Sequence, residues 1–307
     1  MPNHPQGNRV SLMVAATACW GVGTVATKQV LDRDVDALTL LPIQLGASCA
    51  LLLVATVATL VNPVHRRSTG VLTWSPQLTK LGVLGVLNPG LAYALGLLGL
   101  ANITASMSVL IWAVEPVLIL LLAAAILRER VGRALVIFLA VAVVGVVLVV
   151  YQPHASGNAA GVALTFAAVG SCALYTVLTR RLLLNDASLI VVLVQQGSAL
   201  AFALVLATVV RLVSREAWNL GSVSASTWAL AALSGALYYG MAFWFYLAAL
   251  RQLPASVAGA FLPMIPIFGM AAAYVIGERL TERQLAGAAL VVLATGLLAV
   301  SQARDST

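Results

Sequence analysis

Apolar residues along this chain fall in long runs, near 10–30, 37–61, 78–100, 103–127, 134–151, 160–179, 187–210, 227–250, 255–277 and 284–302. The breaks between them are short and polar, such as Asp32-Arg33-Asp34, Arg128-Glu129-Arg130, Arg180-Arg181 and the stretch from Glu278 to Arg283. A membrane-spanning helix needs about 20 mostly apolar residues. The pattern therefore predicts an all-α membrane protein with ten transmembrane helices.

The runs repeat. Sliding the sequence against itself by 150 residues brings Gly85 onto Gly235, Gly90 onto Gly240, Tyr93 onto Phe243, Leu100 onto Leu250, Ala105-Ser106 onto Ala255-Ser256 and Pro116 onto Pro266. A shift of 149 matches Glu129-Arg130 to Glu278-Arg279, and one of 151 matches Gln44 and Gly46 to Gln195 and Gly197. Gly, Pro, Gln and an ion-pair dipeptide recurring in order are not a by-product of apolar composition. The chain divides into two five-helix repeats, 1–152 and 153–307. Because each holds an odd number of spans, the second copy starts on the opposite side of the membrane, so the repeats are inverted. Inverted repeats build their binding site near the midplane between the halves, and exchanging the two halves' shapes gives alternating access.

Composition sharpens the class. Of 307 residues 61% are hydrophobic and 9% charged, and the mean hydropathy is +1.00, whereas a soluble domain carries about 25% charged residues. The net charge of +7 comes from basic residues placed mostly in breaks between runs, so it signals orientation rather than a nucleic-acid partner. With the N-terminus inside, eleven Lys and Arg side chains fall on the inner side and six on the outer. Both termini are therefore expected in the cytoplasm, in the cell's inner (plasma) membrane. The first run lacks the build of a cleaved signal peptide. Cys19, Cys49 and Cys172 sit singly within runs, without metal or disulfide spacing. No cofactor is expected.

Trp20-Gly21 with Lys28, Leu100 to Ser106, Pro116 and Glu129-Arg130, and again Leu250 to Ser256, Pro266 and the segment GERLTERQLAGAALVVLATGLL from Gly277, resemble the EamA-type transporters of the drug/metabolite transporter superfamily. The resemblance covers both halves. It implies a ten-span secondary carrier that exports amino acids, other small metabolites or amphipathic compounds without ATP. Two residues depart from the pattern: Gln44 stands where the family often has Arg, and Arg128 replaces the usual Gly before Glu129.

Among the ten acidic residues only Glu115 lies deep in a run. A charge at that depth costs from about 2.5 kcal/mol upward, which marks it as a proton-coupling or cation-pairing candidate, against the alternative of a neutral packing carboxyl. Pro116, Pro263 and Pro266 break helices and leave carbonyls unpaired, an arrangement suited to a cavity or protein interior rather than lipid. Trp20, Tyr93, Trp112 and Tyr175, with Phe243, are mid-run aromatics that can wall an amphipathic pocket; with Glu115 they make the candidate substrate site. Gln44, Gln195, Gln196 and Asn88 are in-run amides read as interhelical ties or ligand contacts.

These residues favour a secondary-active exporter whose partners are a small-molecule substrate and the lipid bilayer, acting as a monomer or homodimer. A channel or facilitator without ion coupling is the alternative. An intramembrane enzyme is a remote one, since His4, His65 and His154 all lie outside the runs and Glu115 has no acidic partner. No G-x-x-x-x-G-K-[ST] loop is present to bind ATP.

Overall fold

A computed structural model describes residues 7–33, 35–61, 75–100, 102–103, 111–150, 158–183, 188–215, 223–275, 277 and 281–304. Ala105, Ser106, Glu278 and Arg279, half of the recurring pairs noted above, lie outside them. The described residues are helical, with no strand among them. In chain order they form α1 (Gly7–Leu31), α2 (Ala37–Val61), α3 (76–100), α4 (Glu115–Leu122, continued by a wide turn at Ala123–Leu127), α5 (Arg133–Val150), α6 (Ala159–Leu182), α7 (Ser188–Ser214), α8 (Ala225–Leu250), α9 (Ala255–Val275) and α10 (Glu282–Arg304). Seven stretches are long and apolar enough to cross a bilayer, in α1, α2, α3, α6, α7, α8 and α9, while 115–127 and 133–149 are apolar but shorter.

Apolar side chains face outward in quantity: Val54, Val57 and Val61 on α2, Val205, Val209, Leu212 and Val213 on α7, and Leu293 and Leu297 on α10 are exposed. In water such patches would drive aggregation. In lipid they are solvated by the acyl chains, and the helix satisfies its own backbone.

Packing inside the bundle is reciprocal between the halves. α3 packs on α6 and α7, while α8 packs on α1 and α2; α1 lies against α9 as α6 lies against α4; α2 pairs with α7 and α5 with α10. Small residues set these approaches. A Cβ on Gly85 would come within 2.6 Å of the Gln195 Cα, and one on Gly235 within 2.7 Å of the Gln44 backbone carbon. Gly145 and Gly287 play the same part for α5 and α10, where a Cβ on Gly145 would lie 2.7 Å from the Gly287 carbonyl oxygen. Without a hydrophobic force between helices in lipid, such close backbone contact is what holds them together.

Helix starts repeat as well. Ser75 and Ser224 each cap their helix, the hydroxyls accepting the N–H groups of Leu78 (3.1 Å) and Thr227 (3.3 Å). Glu129, just beyond α4, reaches into the other half: its carboxylate accepts the N–H groups of Ala255 (2.8 Å) and Ser256 (3.0 Å) and the Ser256 hydroxyl (2.6 Å), capping α9. Arg128 before it is left-handed, with φ 55° and ψ 34°. Gly277, 149 residues on, also has positive φ, 101°. The position favours glycine, the residue that the resemblance led one to expect at 128.

Candidate functional site

Two helices open at matching points. α3 widens over Val86–Leu91 and α8 over Ala236–Met241, 150 residues apart. In α3 the cause is local: Pro89 has no N–H to donate, and the residue before a proline is pushed out of the helical region, as Asn88 is at φ −149° and ψ 122°. α8 has no proline there and keeps helical torsions at the ends of its wide turn. Beside these openings lies a cavity of about 150 Å³, lined by Thr24, Thr27 and Leu31 of α1, Leu40, Leu41 and Gln44 of α2, Tyr93 of α3, and Tyr238 and Tyr239 of α8. It lies toward the α1–α2 connection, since its wall uses the end of the first helix and the beginning of the second.

Behind the cavity runs one continuous set of rings. Trp112 stacks on Tyr93 with centroids 6.3 Å apart, and Tyr93 meets Tyr238 at 5.7 Å and Tyr239 at 5.4 Å. Tyr239 stacks on Phe243 (6.5 Å), which contacts Trp20 (5.4 Å) and Tyr175 (6.2 Å). Phe243 and Tyr175 are fully enclosed, at 2% and 1% exposure. The five aromatics singled out in the sequence thus share one network, with Tyr93 in the cavity wall and Trp20, Trp112, Tyr175 and Phe243 behind it. Tyr238 and Tyr239, mid-run aromatics outside the preferred set, also line the cavity and lie 150 residues from Asn88 and Pro89. The shift that revealed the repeat points to them.

The polar groups are hydrogen-bonded in part. The Tyr93 hydroxyl donates to that of Tyr238 (2.8 Å). Gln44 Nε2 donates to the hydroxyls of Thr27 and Ser234, both at 2.8 Å, so this amide ties α1, α2 and α8 together while facing the cavity. Gln195, its counterpart, accepts from the Tyr175 hydroxyl at 2.8 Å. The Gln196 amide, the Asn88 side-chain oxygen and Trp20 Nε1 are buried without a partner among the described residues.

Glu115 stands at the first turn of α4, where the helix re-forms after a turn at Ala113-Val114, with Pro116 at its start. Pro263 lies in the stretch of single turns that joins the two parts of α9, and Pro266 in the first turn of the second part, Met264–Val275. The Glu115 carboxyl is not part of the cavity wall. Trp112, three residues before it, stacks on Tyr93 of that wall at 6.3 Å. Among the described residues the carboxyl makes no hydrogen bond or ion pair. The buried polar side chains among the described residues are all neutral: Thr, Ser, Gln and Asn.

Comparison with known proteins agrees with this architecture. A transporter described as uncharacterized, from Archaeoglobus fulgidus, is 28% identical over 220 residues, 71% of this chain and 76% of its own length. A protein of known crystal structure superimposes with a TM-score of 0.76 at 18% identity, covering 98% of this chain and all of that one, a likeness of fold alone. The EamA-like transporter family matches residues 9–151 and again 159–300. With two copies of that family's repeat and a bundle of apolar helices, the chain belongs to the EamA-like transporter family and is a multi-pass membrane transporter.

Proposed function

We propose that the chain is a secondary-active exporter of small metabolites, such as amino acids or related amphipathic compounds, working by alternating access through ten spans arranged as two inverted repeats. The observation that carries this reading is the pair of helix openings at Val86–Leu91 and Ala236–Met241, at matching positions of the two repeats and beside one aromatic-walled cavity. Reciprocal packing, Gly85 on Gln195 and Gly235 on Gln44, supports two halves that exchange shapes. The cavity takes its solute between α1, α2, α3 and α8. The ring network from Tyr93 to Tyr175 closes its inner end, and opening on the opposite side requires that layer to part. Both termini face the cytoplasm of the inner membrane in this reading. Glu115 is the coupling group, a carboxyl in the membrane interior with no cation paired to it among the described residues.

Reconstitution into proteoliposomes tests the proposal. Glu115→Gln keeps the side chain's shape without titrating, so gradient-driven flux falls to background while equilibrium counterflow persists. Full gradient-driven flux in Glu115→Gln removes coupling from this residue. An absence of flux and counterflow in the wild-type protein for every amphipathic solute tried removes the carrier reading.

A further inference from the structure

Taking the cavity as the transport site, we infer that it selects solutes by a positive charge: its occupant is an amphipathic amine or quaternary ammonium whose cationic end lies against the rings of Tyr93, Tyr238 and Tyr239, within the field of Glu115 behind the wall. Four observations converge on this. Glu115 is an acid in the middle of the bundle without a hydrogen-bond or ion-pair partner among the described residues, so a charged carboxylate there has no counter-ion from this part of the protein. Its field reaches the cavity wall, because Trp112, three residues before Glu115, stacks on the wall residue Tyr93 with centroids 6.3 Å apart. In a low-dielectric interior that field is little screened. The wall itself is aromatic, with the Tyr93, Tyr238 and Tyr239 rings in mutual contact at 4.9–5.7 Å and Trp112 stacked behind Tyr93 at 6.3 Å. Ring faces attract cations and recognise ammonium groups in this kind of grouping.

The fourth observation is what the interior lacks. No Lys, Arg or His is among the buried side chains described, so a carboxylate or phosphate on a solute finds only neutral donors there. The described basic groups nearest the mouth are engaged at the rim: Lys28 pairs with Asp32 at 3.2 Å, Arg211 with Asp36 at 2.7 Å, and Arg33 donates to the Thr227 hydroxyl at 3.2 Å. For an amino acid the ammonium end is matched and the carboxylate end is not, so the decarboxylated amine is the better ligand.

A series that keeps one ring and one chain length and varies only the charged end isolates this property: phenethylamine, phenylalanine, 2-phenylethanol and 3-phenylpropionate, titrated into the purified full chain and read by calorimetry. Phenethylamine is expected to bind at least ten-fold more tightly than the alcohol or the propionate, with phenylalanine between. In Glu115→Gln the cation loses about ten-fold and the preference collapses, while in Trp112→Leu every member weakens and the order is kept. Propionate or alcohol binding as tightly as the amine overturns the inference, and that result needs no variant to fold. An unchanged amine preference in folded Glu115→Gln overturns the role of the carboxylate. Transport is a separate readout: amine binding without flux in proteoliposomes sinks the carrier reading and leaves this one standing. Flux of neutral and anionic solutes without amine preference does the reverse.

Discussion

Replacing Gly85 or Gly235 with alanine should destabilise the bundle heavily, and by similar amounts, because the two positions make the same contact in the two repeats. A Cβ at Gly85 would stand 2.6 Å from the Gln195 Cα and one at Gly235 2.7 Å from the Gln44 backbone carbon. Ordinary carbon contacts lie at about 3.5–4.0 Å, so the helices must part by roughly 1 Å. The obstructing atoms are backbone, which cannot rotate away. Overpacking of this kind costs about 1–3 kcal/mol. Parting α8 from α2 also strains an amide tie, since Gln44 reaches Ser234 across the same interface. Gly46 is the control, since a Cβ there meets nothing within 4 Å and helix propensity favours Ala. Reversible SDS titration in mixed micelles, followed by tryptophan fluorescence, gives the three free energies. Gly46→Ala should be neutral or slightly stabilising, and the other two less stable by at least about 1 kcal/mol. Equal stability of all three variants would refute the close approach and the equivalence of the two interfaces.

Three further outcomes are expected. Arg128→Gly should stabilise the protein by about 0.5–1 kcal/mol, because φ of 55° costs a side-chain-bearing residue what it does not cost glycine; Gly277→Ala should lose about as much, both read by the same titration. Glu129→Ala should cost about 1–2 kcal/mol by removing the acceptor of Ala255, Ser256 and the Ser256 hydroxyl, with Glu129→Gln intermediate; no loss in Glu129→Ala would mean that the cap is replaced by solvent. A cysteine at Ser68 should label with a membrane-impermeant maleimide only from the cytoplasmic side and one at Asn158 only from outside, and labelling of both from one face would overturn the proposed span order.

Much of the architecture was written in linear order. Runs of about twenty apolar residues fix helices, because in lipid the backbone must satisfy its own hydrogen bonds, and one shift of about 150 residues exposed the two repeats. The equivalences of Gly85 with Gly235 and Gln44 with Gln195 were visible as matches. That each Gly rests on the other pair's Gln backbone was not, because a shift of the chain on itself says which residues are equivalent and nothing about which ones touch. Glu129 shows the same division. Its recurrence beside Arg marked it as important, yet its partner at Ala255-Ser256 is 126 residues away in the other half, and only assembly of the halves brings a carboxylate onto that helix end. The aromatic candidates were found by depth in their runs, a one-dimensional property, and they did gather into one ring network. Which of them faces open space was decided by helix rotation and by the widened turns, which put Tyr93, Tyr238 and Tyr239 at the cavity and left Trp20, Tyr175 and Phe243 packed behind. Sequence determines how deep a side chain lies in the membrane, since depth is counted along the chain; which way it points is set by neighbouring helices, whose contacts exist only once the bundle has closed.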